Sequence, residues 1–179
     1  MRYRKTIFRL LAAGGVSLLV ACSQSSPAQN PSSVLEQART SASSYADATI
    51  SRQSLLDVLS KDQGLDKQAA EQAVDELDLD YNANALKMAE AASQSFASKA
   101  AIRDELIQDG QYTEEEADWA LDHLEVDYNA SALQSARNLE GMFSGEDLYE
   151  VLCQPLAEDG LGFTREQARY ALDQLNESD

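Results

Sequence analysis

Apolar residues recur along this chain at spacings of three and four, and from residue 33 onward they do so in blocks that repeat. Val34, Leu35, Ala38 and Ala42 form one stripe. Leu86, Ala89, Ala92 and Phe96 form its second copy, and Leu133, Ala136, Leu139 and Phe143 its third. Another stripe carries Leu55 and Leu59, then Ile102 and Leu106, then Leu148 and Leu152. The last holds Ala70, Ala73, Val74 and Leu77, then Ala117, Ala120, Leu121 and Leu124, then Ala168, Ala171, Leu172 and Leu175. This is the period of a helix with one buried face, and no stretch shows the period-two alternation of a strand. Each block is therefore predicted to hold three helices.

The punctuation agrees with the stripes. Ser51, Ser98 and Ser144 precede the second stripe, and Asp66, Thr113 and Thr164 precede the third. A short side-chain oxygen there accepts a bond from an otherwise orphaned N–H of the first turn. Glu116 and Gln167, three residues after Thr113 and Thr164, complete the pattern of a capping box. Gly64, Gly110, Gly160 and Gly162 fall where the second helix must stop.

The clearest copies are Leu79-Asp80-Tyr81-Asn82-Ala83-Asn84-Ala85-Leu86 and Val126-Asp127-Tyr128-Asn129-Ala130-Ser131-Ala132-Leu133, which lie 47 residues apart. In the third block the offset grows to 51, because residues are inserted around 154–162, and the block ends before another Asp-Tyr-Asn. The expected fold is all-α: tandem three-helix, helix-turn-helix-like repeats of about 47 residues at 33–79, 80–126 and 127–179. With stripes built only of Leu, Val, Ile and Ala, one repeat buries little, so stacking of neighbours is expected to complete the core. Tyr81 and Tyr128 are expected to fill the junctions between repeats.

A different pattern precedes the repeats. Arg2, Arg4, Lys5 and Arg9 flank an apolar run from Leu10 to Ala21, too short to span a bilayer with its own stop. A basic head with such a run is a secretory signal, here residues 1–21. It ends in Leu19-Val20-Ala21-Cys22, which resembles the lipobox of bacterial lipoproteins, in which the cysteine is acylated and becomes the first mature residue. The alternative is an ordinary secreted protein cut near Ala21. On the lipobox reading Cys22 is the lipidation site, and the mature protein sits on the extracytoplasmic face of the cell membrane. Residues 22–32, rich in Ser and Pro, form a tether; about 5–6 Å × √n for ten residues holds the folded part roughly 15–20 Å from the lipid.

Charge narrows the partners. The chain has 14 basic and 31 acidic residues, and four of the basic ones precede Cys22, leaving the mature form at −21. Such a surface repels phosphate backbones, so nucleic acid is excluded as a partner. Of the two cysteines, Cys22 is committed to lipid, so no internal disulfide forms, and Cys153 reads as a small hydrophobe of an amphipathic helix.

Catalytic chemistry is hard to find. Asp78, Asp80, Asn82 and Asn84 alternate like the start of a calcium loop, but the sixth position is Ala83 and the twelfth Ala89, so they read as a turn that caps the next helix. His123, the only histidine, matches Glu76 and Gln174 in the other repeats and reads as a surface residue. No nucleophile–base set, metal spacing or phosphate loop is present, and the chain is expected to be no enzyme, with no cofactor and no small-molecule substrate. Trp119 and Tyr170 share the repeat position of Gln72, well away from the apolar stripe. Either each ring packs under a neighbouring repeat, or it faces solvent as a partner contact.

Taken together, the motifs resemble a known family. Serine, Leu, Leu and Gly, then Glu-Ala, aromatic-Ala-aliphatic-Asp and Leu, then Asp-aromatic-Asn and Ala-Leu follow a lipobox, most completely from Ser98 to Ala136. The looser copies are Ser51–Ala89 and Ser144–Leu175. This is similar to the Ltp-type host cell surface-exposed lipoproteins. The resemblance implies helix-turn-helix-like modules displayed outside the membrane. In some members from temperate phages it implies superinfection exclusion, by blocking DNA injection through contact with a phage protein such as the tape-measure protein. This chain departs from the pattern in having Tyr where Asp-aromatic-Asn often has Trp, a third repeat with an insertion, and Gln72 in place of an aromatic. The expected function is a membrane-anchored protein-interaction module. The alternative is a structural or adhesion lipoprotein that binds cell-wall polymer or another surface protein.

Overall fold

In the computed structural model, which describes residues 30–177, every regular element is helical. Three trios follow one another: α1 (Pro31–Ser43), α2 (Arg52–Asp57) and α3 (Lys67–Asp75); α4 (Tyr81–Ser93), α5 (Lys99–Gln108) and α6 (Glu114–His123); α7 (Tyr128–Leu139), α8 (Gly145–Cys153) and α9 (Arg165–Asn176). The signal peptide, Cys22 and most of the tether lie outside the described residues. Helix α1 begins two residues before the end of the expected tether, because Asn30 accepts from the Ser32 N–H and Pro31 suits the first helical position.

Composition fixes how each trio packs. The first and third helices make the broadest contact in every trio. They meet through alanines: Ala38 and Ala42 with Ala70 and Ala73, Ala85 and Ala89 with Ala117 and Ala120, Ala132 and Ala136 with Ala168 and Ala171. Methyl side chains let the two backbones come close, since the spacing of packed helices follows the side chains between them. The middle helix then drops two large residues onto the pair: Leu55 and Leu59, Ile102 and Leu106, Leu148 and Leu152, all fully buried. Burying one such side chain stabilises by about 1.5–3 kcal/mol.

Caps set the ends. Ser51, Ser98, Asp66, Thr113 and Thr164 accept from helix N–H groups as the sequence predicts, and Thr113 and Thr164 form full capping boxes. Ser144 stands at its N-cap position, but its side chain makes no cap bond. Asp80 and Asp127 cap α4 and α7, which accounts for the aspartate of Asp-Tyr-Asn. In the first trio the middle helix closes in a π turn, Val58–Asp62, where the Ser60 hydroxyl donates to the Leu56 carbonyl. In the third, the inserted residues form a 3₁₀ turn, Leu156–Glu158, and Leu161, Gly162 and Phe163 donate back to Val151, Gln154 and Leu152.

Two expectations need correction. Phe96 and Phe143 do not belong to the first helices of their trios. Helix α4 stops at Ser93 and α7 at Leu139, Phe96 turns out with φ of +59°, and both rings are exposed. The larger correction concerns stacking. Three separate cores exist, one per trio, and helices of different trios meet only at isolated points. The links are polar and local: Asn84 donates to the Ala48 and Ile50 carbonyls, the Ser54 hydroxyl to Gly110, and the Ser135 hydroxyl to Phe96. Tyr128 packs against the second core from the first position of α7, and Tyr81, first in α4, buries its hydroxyl in the field of Arg52 and Asp75 of the first trio, so both fill junctions.

Each trio carries one residue that the stripes did not point to. Leu65, Tyr112 and Phe163 stand just before the third helix's N-cap, pack into the cores, and donate their N–H to Leu59, Leu106 and Leu152 respectively. An apolar residue before the cap closing onto the helix behind it is the logic of a hydrophobic staple. Tyr112 is 3% exposed and its hydroxyl has no partner. Burial pushes its phenol up to about 12.

Phe163 fills the same place without a hydroxyl, so Tyr112→Phe is expected to stabilise the protein by about 1 kcal/mol, the scale of an unsatisfied buried donor. Because the folded pKa is raised, the tyrosine's contribution holds below about pH 10 and fades as pH rises towards 12. The variant should therefore gain most over wild type in alkaline melts, and equal melting at pH 8 and pH 11 would refute the assignment.

Candidate interaction site

One face, compared across the three trios, changes character. In the first trio it is closed by charge. Arg39 on α1 grips Glu76, with Nε 2.6 Å from Oε2 and Nη2 3.0 Å from Oε1, and Gln72 donates to the same carboxylate at 2.9 Å. Arg39 first, and Gln72 second, hold the Glu76 carboxyl down at about 2. A two-pronged arginine–carboxylate pair fixes both side chains.

At the matching positions the second trio has Leu86, Trp119 and His123, and the third has Leu133, Tyr170 and Gln174. The Trp119 ring lies flat on His123 one turn along α6, with centroids 3.9 Å apart and planes 20° from parallel. His123 Nδ1 is 2.7 Å from the Trp119 carbonyl oxygen. A carbonyl only accepts, so Nδ1 is the donor in this bond. Trp119 is half-buried, Tyr170 is 41% exposed, and neither ring belongs to any of the three cores. Leu86 and Leu133 close on their own cores from the side.

The surroundings are acidic and already neutralise the cations near them. Arg103 on α5 bonds Asp118 at 2.6 Å and Glu114 at 3.1 Å, and Lys99 reaches Asp122 at 3.5 Å. The Asp118 carboxyl is held below the usual range by Arg103. Glu114, Glu115 and Glu116 crowd the first turn of α6, where they favour the helix dipole.

Two surface clefts accompany these helices. One of about 700 Å³ runs between α1 and α3 past Val34, Leu35 and Leu65. The other, about 370 Å³, lies between the second and third trios against Tyr128 and Gly162. Among the described residues no group of His, Cys, Asp and Glu could share a metal ion, and no helix is long and apolar enough to cross a membrane. Cys153 is half-buried against the third core. The alternating Asp78, Asp80, Asn82 and Asn84 are dispersed to other tasks: Asp80 caps α4, and Asn84 is buried on the first trio's loop.

The family model described as host cell surface-exposed lipoprotein matches residues 80–124 and 127–175, just over half of the chain and nearly all of the second and third trios. The solved structure of Ltp, a superinfection exclusion protein from the Streptococcus thermophilus temperate phage TP-J34, is 31% identical; the match covers 51% of this chain and 96% of that one, with a TM-score of 0.46. No curated protein matches the chain. By the two matched units, this chain belongs to the family of Ltp-type host cell surface-exposed lipoproteins.

Proposed function

We propose that the mature protein is anchored by lipid at Cys22 to the extracytoplasmic face of the cell membrane and works as a protein-interaction module that excludes superinfecting phage by blocking DNA entry. The observation that carries the reading is where the family match falls: on the second and third trios, the two that hold an aromatic ring, Trp119 or Tyr170, outside their cores. No bond-making step is needed for this role. A rigid helical module held within reach of the membrane acts by occupying a partner, and the incoming phage's tape-measure protein is the partner that the family resemblance implies.

Plaque counts on cells with and without the expressed gene test it, with phage adsorption measured separately. Adsorption should be unchanged while plaques fall by orders of magnitude for at least one phage of the host. Unchanged plating across a broad phage panel would sink the reading, and retention on purified cell wall would then favour an adhesion role.

A further inference from the structure

Repetition supplies an internal control that a single-unit protein lacks. Three trios share one architecture, yet the face formed by the first and third helices is closed by an ion pair in one of them and carries an aromatic ring beside a leucine in two. In the first trio, Arg39, Gln72 and Glu76 satisfy one another, with all three side chains tied together. The second and third replace arginine with Leu86 and Leu133, and glutamine with Trp119 and Tyr170. Trp119, half-buried against His123, and Tyr170, 41% exposed, both stand outside the cores of their own trios. Aromatics in that setting are what partner surfaces use as anchors.

Charge follows the same division. The first repeat, 33–79, carries nine acidic and four basic residues; the second and third, 80–126 and 127–179, carry eleven acidic and three basic each. All four cations of the first trio are engaged by carboxylates within it: Arg39, Arg52, Lys61 and Lys67. The apolar faces thus sit in the stronger negative field.

We propose that the second and third trios are paired recognition modules for a basic polypeptide segment bearing aliphatic side chains, gripped by Trp119 and Tyr170, and that the first trio is a spacer that carries them away from the membrane. The proposal deepens the functional reading above by naming the face and the chemistry of its partner. Anionic cell-wall polymer and nucleic acid would be repelled by the same field. A purely cationic ligand would be attracted but would leave the aromatic rings unused.

The test uses the soluble chain from Ser23 to Asp179, in which Trp119 is the sole tryptophan. The probe is an amphipathic leucine–lysine helical peptide of fourteen residues, with oligolysine of equal charge beside it. Adding the leucine–lysine peptide should shift and quench Trp119 emission. By anisotropy of the labelled peptide, Trp119→Ala with Tyr170→Ala should weaken binding at least tenfold, Trp119→Phe should restore most of it, and Gln72→Ala should change nothing. Circular dichroism checks that each variant keeps its helices. Equal binding by the double variant, equal binding of oligolysine by wild type and double variant with no Trp119 response to either peptide, or no binding of the leucine–lysine peptide would each overturn the proposal. Infection assays separate the two readings. If wild type excludes phage and the double variant excludes it equally well, the recognition face is wrong. If the peptide results hold and wild type excludes no phage, only the exclusion reading falls.

Discussion

Leu106→Ala is expected to unfold the second trio and leave the other two standing. Leu106 is fully buried between α4 and α6, and truncating such a leucine costs about 2–5 kcal/mol, through lost transfer energy and the cavity left behind. A unit of this size has a total stability on the order of 2–7 kcal/mol at ~0.05–0.15 kcal/mol per residue. The loss is therefore comparable to everything that holds the trio. Its spread is limited by the three separate cores, because the junctions consist of a few hydrogen bonds and two tyrosines, Tyr81 and Tyr128. Helical signal should drop by about a third in Leu106→Ala, with hydrogen exchange accelerated only within 81–123. Leu55→Ala and Leu148→Ala should produce the same local loss in their own trios, since each holds the matching place. For the same reason the excised segment 80–126 should melt cooperatively. Loss of all helix in any single variant would mean that the trios share their stability after all.

That expectation reverses what composition suggests. Counting Leu, Val and Ile makes a 47-residue repeat look too thin to stand alone, because alanine offers little area. Alanine's contribution here is geometric: Ala117 and Ala120 let α6 settle directly on Ala85 and Ala89, so Ile102 and Leu106 can cover both helices at once. Periodicity displays a stripe but not how closely two stripes approach. Much else was legible. Ser51, Ser98, Asp66, Thr113 and Thr164 read correctly because capping is a local matter between neighbours in sequence. Phe96 and Phe143 misled because a three-residue spacing continues past the helix end, while the left-handed turn at Phe96 is set by how the loop reaches α5. Tyr112 and Phe163 do carry a local signal, an apolar residue directly ahead of a threonine cap. The place of Trp119 and Tyr170 off the apolar stripe was visible from helical phase, but what each ring lies against needed the fold. His123 braces Trp119 from the same helix, and the contact is made one turn along and not across a junction.

Cys22→Ala should abolish membrane retention while leaving the three trios intact. A buried acyl methylene contributes about 0.8 kcal/mol, one chain binds only marginally, and a diacylglyceryl cysteine supplies at least two chains, enough for stable anchoring. The body after Cys22 carries ten basic and 31 acidic residues, so anionic headgroups repel it, and among the described residues no helix can span a bilayer. Alanine has no thiol to alkylate. The folded part is indifferent, because α1 starts at Pro31, capped by Asn30, and draws its core contacts from Val34 onward. In detergent-phase partitioning, wild type should enter the detergent phase and Cys22→Ala should move to the aqueous phase or the medium, a shift of more than tenfold, with an unchanged far-ultraviolet spectrum. Exclusion of phage should fall with it, since a module released from the surface is diluted away from the site of DNA entry. A variant that partitions with detergent as wild type does would show that lipid at Cys22 is not the anchor, and the placement of these trios at the membrane would need another cause.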